Sequence, residues 1–261
     1  MNRPPSFFVA LSFRRMAAVL ITGAGRRAGI AAACALALAR DGWDVGLSCW
    51  RPYDRENGPA SEDEEPERLL EEVRALGVRA ELAEADLASG AAPAALFDAL
   101  EPRLGPFTAL VAAHCRDIEL PLLASTAKEL DLHFAVNARS VALLIQELAR
   151  RLPGDGGRVV AFTSDALRDN VPYGVSKSAL DAVVIAAAHE LGPLGIRANC
   201  INPGPNETGW ITDELRAALQ ARAPLGRLSR PSDSADLVGF LLSPQGGWIS
   251  GQVLHSDGAF S

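Results

Sequence analysis

From Ala17 to the C-terminus, apolar residues fall alternately into short unbroken runs and longer runs with helical spacing. The short runs are "AAVLITG", "WDVGLSCW", "RAELAEADL", "FTALVAAH", "GRVVAFTS", "IRANCINPG" and "GQVLHSDG", and each predicts a β-strand. The segments between them predict helices. "GIAAACALALARDG" is alanine-rich and ends at Gly42, and "PERLLEEVRALG" puts Leu69, Leu70, Val73 and Leu76 on one face. "PAALFDALEPRLG", "LDLHFAVNARSVALLIQELARRL" and "SKSALDAVVIAAAHELGPLG" follow, and two short helices precede the last strand. Strands alternating with helices of this length imply βαβ units and a parallel sheet covered on both faces. With no linker or repeat, the expectation is one α/β domain over residues 16–261. It would be a doubly wound, seven-stranded parallel sheet whose strand order switches at its centre.

Composition narrows this picture. The chain of 261 residues is 48% hydrophobic, enough for a large core, and its net charge of −7 argues against a nucleic-acid partner. "SEDEEPE", Ser61 to Glu67, concentrates acid between Gly58, Pro59 and Pro66 and reads as a solvated loop rather than a metal site. Cys34, Cys49, Cys115 and Cys200 form no C-x-x-C pair, which fits a reducing, cytoplasmic setting without structural metal. "MNRPPSFFVALSFRR" has too short an apolar run for a signal peptide. Two readings of it stand: a disordered extension over residues 1–15, or a true start at Met16. No run reaches the length of a membrane span, so no membrane partner is expected.

In a doubly wound sheet, ligands bind at the carboxyl ends of the strands. "TGAGRRAGI" follows the first strand and opens a helix, which supplies Thr22, Gly23, Gly25, Arg26, Arg27, Gly29 and Ile30 as cofactor-binding candidates. Gly23 permits a tight turn, Gly29 a close approach, and the helix N-terminus faces a pyrophosphate. A carboxylate at the end of the second strand would favour NAD, and a cation NADP. That strand ends "SCWRPYD", with Arg51 just beyond it and Asp54 several residues on. Arg27 and Arg26 with Arg51 therefore predict a cationic pocket for a 2′-phosphate, so NADP(H) is expected over NAD(H). The competing reading is solvated surface charge. "ADL" puts Asp86 and Leu87 where an adenine would lie.

"YGVSK" spaces Tyr173 and Lys177 four apart, on one face if a helix has begun by Tyr173. A nearby ammonium lowers a phenol from its ordinary pKa of about 10, making it a competent proton donor to a carbonyl. Ser164 ends the preceding strand, and Asn137 sits inside a predicted helix, an awkward place for an amide without a task.

The stretches "TGAGRRAGI", "ADL", "VNARS", "VVAFTS", "YGVSK", "INPGPNETG", "PLGRLSRPSD" and "SGQVLHSDG" together resemble the short-chain dehydrogenase/reductase family from about Ala17 to the C-terminus. The likeness is nearest the classical subgroup that includes β-ketoacyl-carrier-protein reductases, with a glycine loop more like that of pteridine reductases. The resemblance implies a Rossmann fold and a tetrad. In it Tyr173 is the acid/base, Lys177 binds the nicotinamide ribose and tunes Tyr173, Ser164 orients the carbonyl, and Asn137 supports a proton-relaying water. It also places Pro203 and Gly204 beside the nicotinamide and Thr208 on its carboxamide.

Three departures stand out. The family's Asn-Asn-Ala-Gly is here "AAHC", Ala112 to Cys115, without the amides that brace the sheet. His114 and Cys115 read as replacements lining the adenosine side, with Ala112 next to the cofactor, rather than as a catalytic pair. The stretch Asp165 to Pro172 between Ser164 and Tyr173 is shorter than usual, which puts the reach of Ser164 in question and makes Asp165 a substitute. Trp210 and Ile211 follow Thr208 in a modest lid.

The leading expectation is an NADP(H)-dependent oxidoreductase for a ketone or secondary alcohol, with 3-oxoacyl thioesters among the candidates. The alternative is a non-catalytic NADP(H)-binding sensor on the same fold. A sensor has no need of Asn137, Ser164, Tyr173 and Lys177 together. Broad apolar faces on the two long helices, with the resemblance, point to a homodimer or homotetramer.

Overall fold

The computed structural model describes residues 18–57, 64–154 and 156–261. The two readings of residues 1–15 and Met16 lie outside them. Strands β1 (Ala18–Thr22), β2 (Asp44–Cys49), β3 (Ala80–Glu84), β4 (Phe107–Ala112), β5 (Arg158–Phe162), β6 (Arg197–Asn202) and β7 (Val253–His255) form one parallel sheet in the order β3-β2-β1-β4-β5-β6-β7. β1 and β2 are buried at every position, because helices cover both faces. The chain moves outward from β1 to β3, then returns to lay β4 on the other side of β1. Thr22 is in register with Ala112 there, so the turns after β1 and β4 open side by side at the switch point.

Alternate residues of one strand feed two cores. Val19 and Ile21 join the core under α1 (Ile30–Arg40), α3 (Glu65–Ala75) and α9 (Pro231–Leu242). Ala18 and Leu20 join the other, under α4 (Ala92–Leu104), α6 (Ser140–Arg151) and α7 (Val171–Glu190). Two further helices, α5 (Ala127–Phe134) and α8 (Asp213–Gln220), lie on the ligand side of the connections.

Four elements depart from the sequence pattern. First, α2 (Arg51–Asn57) is a helix where no element was expected, with Pro52 in its first turn, where the missing N–H does no harm. Second, the acid run does not stay in a loop. Glu65 and Glu67 open α3, where carboxylates face the positive end of the helix dipole. Third, the long helix containing Asn137 is broken by a π turn over Ala135–Arg139 between α5 and α6. Fourth, α7 starts at Val171 rather than Ser176, which puts Tyr173 in its first turn. By length and composition α7 could also cross a membrane, although no such run was expected. Here it packs on the sheet, with Leu180 and Val184 in the core and Lys177 buried.

Candidate active site

The carboxyl ends of β1 to β4 open into one crevice, lined by Gly23, Arg26, Cys49, Asp86, Leu87 and His114. Gly23 follows β1 at φ +82°, and a Cβ there would stand 2.7 Å from the His114 amide nitrogen, so both the turn and the close approach of β4 require glycine. Gly29 precedes α1 without any side-chain cap, which leaves first-turn N–H groups for an anion. Asp86 and Leu87 line the crevice beyond β3. Ala112, buried at the end of β4, lies level with Thr22. Pro203 and Gly204 leave β6, where Asn202 Oδ1 accepts from the Gly204 amide at 3.1 Å. These features fit a dinucleotide: a glycine cradle, an uncapped helix N-terminus and a polar floor.

The arginines are arranged differently from the predicted pocket. Arg27 turns to α3, with Nη2 2.8 Å from Glu72 and its backbone amide donating to Glu65 at 2.6 Å. Arg51 pairs with Glu84 at 2.7 Å and with Glu67. Arg26 donates through Nη1 to the Thr208 carbonyl at 2.8 Å, stands 5.0 Å from the Trp210 ring centroid and 3.9 Å from Asp54. The expected open cationic pocket is thus filled by carboxylates. The acid run supplies two of them, Glu65 and Glu67, from the first turn of α3. Thr208 meets the glycine loop through its backbone, and Arg26 joins loop to lid.

Beside the end of β5, α7 brings Tyr173 and Lys177 together. The Lys177 ammonium lies 5.6 Å from the Tyr173 ring centroid and donates to the Phe162 carbonyl at 2.7 Å. Ser164 acts on the Tyr173 phenol across the short loop, and its Oγ accepts from the Ala166 amide at 3.2 Å. The phenol's pKa is pushed well above its usual range, first by burial and then by nearby Cys115 and Asp117, while Ser164 pulls it down. The expected net lowering by Lys177 is reversed in sum. Asn137, at the centre of the π turn, accepts from the Arg116 amide at 2.7 Å and donates to the Arg116 carbonyl and Ser176 Oγ, each at 2.8 Å. Its side chain has a task after all: it ties the β4 turn to α7.

A family model described as enoyl-(acyl carrier protein) reductase matches residues 23–261. The chain belongs to the short-chain dehydrogenase/reductase family. Among its relatives, an uncharacterised oxidoreductase of Bacillus subtilis is 34% identical over 92% of this chain and 95% of its own length. An NADPH-dependent aldehyde reductase-like protein of Arabidopsis thaliana is also 34% identical, over 92% of this chain and 93% of its own. A short-chain dehydrogenase from Burkholderia cenocepacia, solved with NADP, superposes with a TM-score of 0.82 at 30% identity, over 94% of this chain and 97% of that one.

Two departures from the short-chain dehydrogenase/reductase pattern have structural answers. With the bracing amides absent, His114 takes over the brace. Its Nδ1 meets Thr22 Oγ1 at 2.6 Å, and its Nε2 meets the Val136 carbonyl at 3.0 Å and Ser140 Oγ at 2.8 Å. A carbonyl only accepts, so Nε2 carries the proton and Nδ1 accepts from Thr22. The ring is neutral, its pKa lowered to about 3, chiefly by burial and then by the Lys177 charge. The short loop after Ser164 is packed onto α7: a Cβ on Gly174 would stand 2.6 Å from the Ala166 carbonyl oxygen. Sequence reasoning missed Tyr53 and the tie it makes, through Asp117, to Asn170. The Tyr53 hydroxyl meets Asp117 backbone, and Asn170 Nδ2 donates to Asp117 Oδ1 at 2.6 Å. No motif marks them, since their contacts link segments far apart in sequence.

Proposed function

We propose that this protein reduces a ketone, or oxidises the corresponding secondary alcohol, using NADP(H), with Tyr173 as the acid/base. The observation that carries the reading is the half-buried Tyr173 at the start of α7, its ring 5.6 Å from the buried Lys177 ammonium and its phenol under the influence of Ser164. When bound, the nicotinamide supplies or accepts hydride. In this reading the Thr22–Ile30 turn and the α1 N-terminus hold the pyrophosphate, Asp86 and Leu87 flank the adenine, and Pro203, Gly204 and Thr208 flank the nicotinamide. Ser164 orients the carbonyl oxygen, and Tyr173 hands it a proton. Burial keeps that proton on the phenol at neutral pH, which suits reduction. Lys177, 5.6 Å from the ring centroid, is a cation beside the phenolate that remains. Asn137 is a positioning residue, holding Arg116 and Ser176 in place.

The NADP(H) preference rests on Arg26, Arg27 and Arg51 at the crevice mouth. The Arabidopsis relative is named for NADPH dependence, and the Burkholderia structure holds NADP. Exposed ion pairs are worth only about 0.2–1 kcal/mol each, so a 2′-phosphate, with charge-assisted bonds of about 1.5–3 kcal/mol, can exchange for the glutamates. The four free thiols fit a reducing, cytoplasmic setting.

NADPH consumption over a panel of ketones, 3-oxoacyl thioesters included, tests this directly. Tyr173→Phe is expected to lose about 10²- to 10⁴-fold in turnover while NADPH affinity holds. If NADPH binds but no carbonyl gives Tyr173-dependent turnover, the sensor reading replaces the enzyme.

A further inference from the structure

We infer that α2 is a movable strap over the crevice, and that Tyr53 couples it to the segment Arg116–Ile118 beside the carbonyl site, so that arrival of the cofactor positions that segment. The inference rests on the proposed reading of the crevice as the dinucleotide site.

The strap lies on the glycine loop. Pro52, Tyr53 and Asp54 line the crevice together with Gly23 and Arg26. An Asp54 carboxylate oxygen sits so close to Gly25 that a Cβ there would be 2.0 Å from it. With the strap down, the crevice holds about 260 Å³. That volume leaves out Ser164, Tyr173 and Gly204, so what the strap would widen by moving is the side of the crevice beside Asp86 and Leu87. The strap is built to move: α2 buries none of its residues. The drive is electrostatic, since a pyrophosphate settling on the glycine turn puts like charge beside Asp54.

Movement of α2 reaches the carbonyl end through one side chain. The Tyr53 hydroxyl accepts from the Asp117 amide at 2.8 Å and donates to the Asp117 carbonyl at 3.2 Å. The Arg116 guanidinium stands 6.0 Å from the Tyr53 ring centroid. Asp117 continues the path through Oδ1 to Asn170, three residues before Tyr173. The neighbouring Arg116 backbone is held by Asn137 on both its N–H and C=O. Tyr53 therefore joins the strap to a segment whose other ties lead to α7, to the π turn and, through Glu129 and His133, to α5. The proposed chemistry does not use its hydroxyl, so Tyr53 is a positioning residue.

The test is hydrogen exchange on the full chain with and without saturating NADPH, in the wild type and in Tyr53→Phe, which keeps the ring against Arg116 and loses both hydrogen bonds. In the wild type, NADPH is expected to change exchange in residues 51–57 and 116–120. In Tyr53→Phe the change in 51–57 stays and that in 116–120 disappears. KM for the carbonyl should rise about tenfold, with kcat and NADPH affinity within about twofold. Asn170→Ala breaks the path on the far side of Asp117, so it should raise KM while keeping the NADPH response in 116–120. An unchanged KM in Tyr53→Phe, or the same response in 116–120 in both proteins, overturns the coupling and leaves the proposed activity standing. Failure of the wild type to bind NADPH overturns both.

Discussion

His114 shows what a single residue decides here. It stands where the family pattern has alanine, yet it performs the sheet bracing that amides one and two positions earlier would otherwise supply. Its neutrality carries a pH consequence. The folded ring has a pKa of about 3, while an unfolded histidine titrates near 6.5, so the unfolded chain takes up the proton first as pH falls. Its contribution is fully present above about pH 6.5 and declines toward about pH 3, by roughly 1 kcal/mol per unit. His114→Gln keeps a polar side chain without that titration. Urea unfolding from pH 7 to 4 should show a shallower loss of stability in the variant, and equal slopes would rule the linkage out. Tyr173 and Lys177 were legible as candidates from their spacing together with Ser164 and Asn137. The direction of the phenol's shift was not, because it comes from burial and from Cys115 and Asp117, which the fold brings in.

At the scale of elements, α3 changes what the arginines do. The acidic run looked like solvent-facing loop, but a helix beginning at Glu65 aims Glu67 at Arg51 and Glu72 at Arg27. If these arginines nevertheless receive a 2′-phosphate, Arg27→Ala and Arg51→Ala should each weaken NADPH binding by about tenfold and NADH by no more than about twofold. Glu67→Gln removes a competitor for Arg51 and should tighten NADPH. Fluorescence titration with both cofactors reads this out, and equal losses for the two would end the 2′-phosphate role. The seven strands and most helices were readable because buried parallel strands have unbroken apolar runs and helices keep their period. α2 was not readable, since a seven-residue helix with no buried face has no pattern to show. The π turn was hidden for a related reason: inserting Asn137 leaves the apolar spacing on either side intact.

For the whole molecule, the two long helices meet the expectation of an assembly unevenly. The apolar face of α6 is consumed inside the chain by Val141, Leu144, Ile145 and Leu148. α7 and its neighbour α5 leave Val175, Leu130 and Phe134 exposed together with the site residues' own helix. If the chain assembles as expected, a second copy would cover this face. Val175→Glu should shift the particle toward monomer in light scattering, and a monomeric wild type at micromolar concentration would refute the assembly. By itself, the order of apolar runs along the chain determined the doubly wound sheet, because each strand's burial is written in its own composition. The glycine turn and the Tyr173–Lys177 spacing marked the candidate site residues, because both are local in sequence. Tertiary structure alone decided which carboxylates meet the arginines, that His114 braces β1 to β4, and that Tyr53 reaches Asp117. Those contacts join residues dozens of positions apart, and their energies depend on distance and burial, which no linear pattern carries.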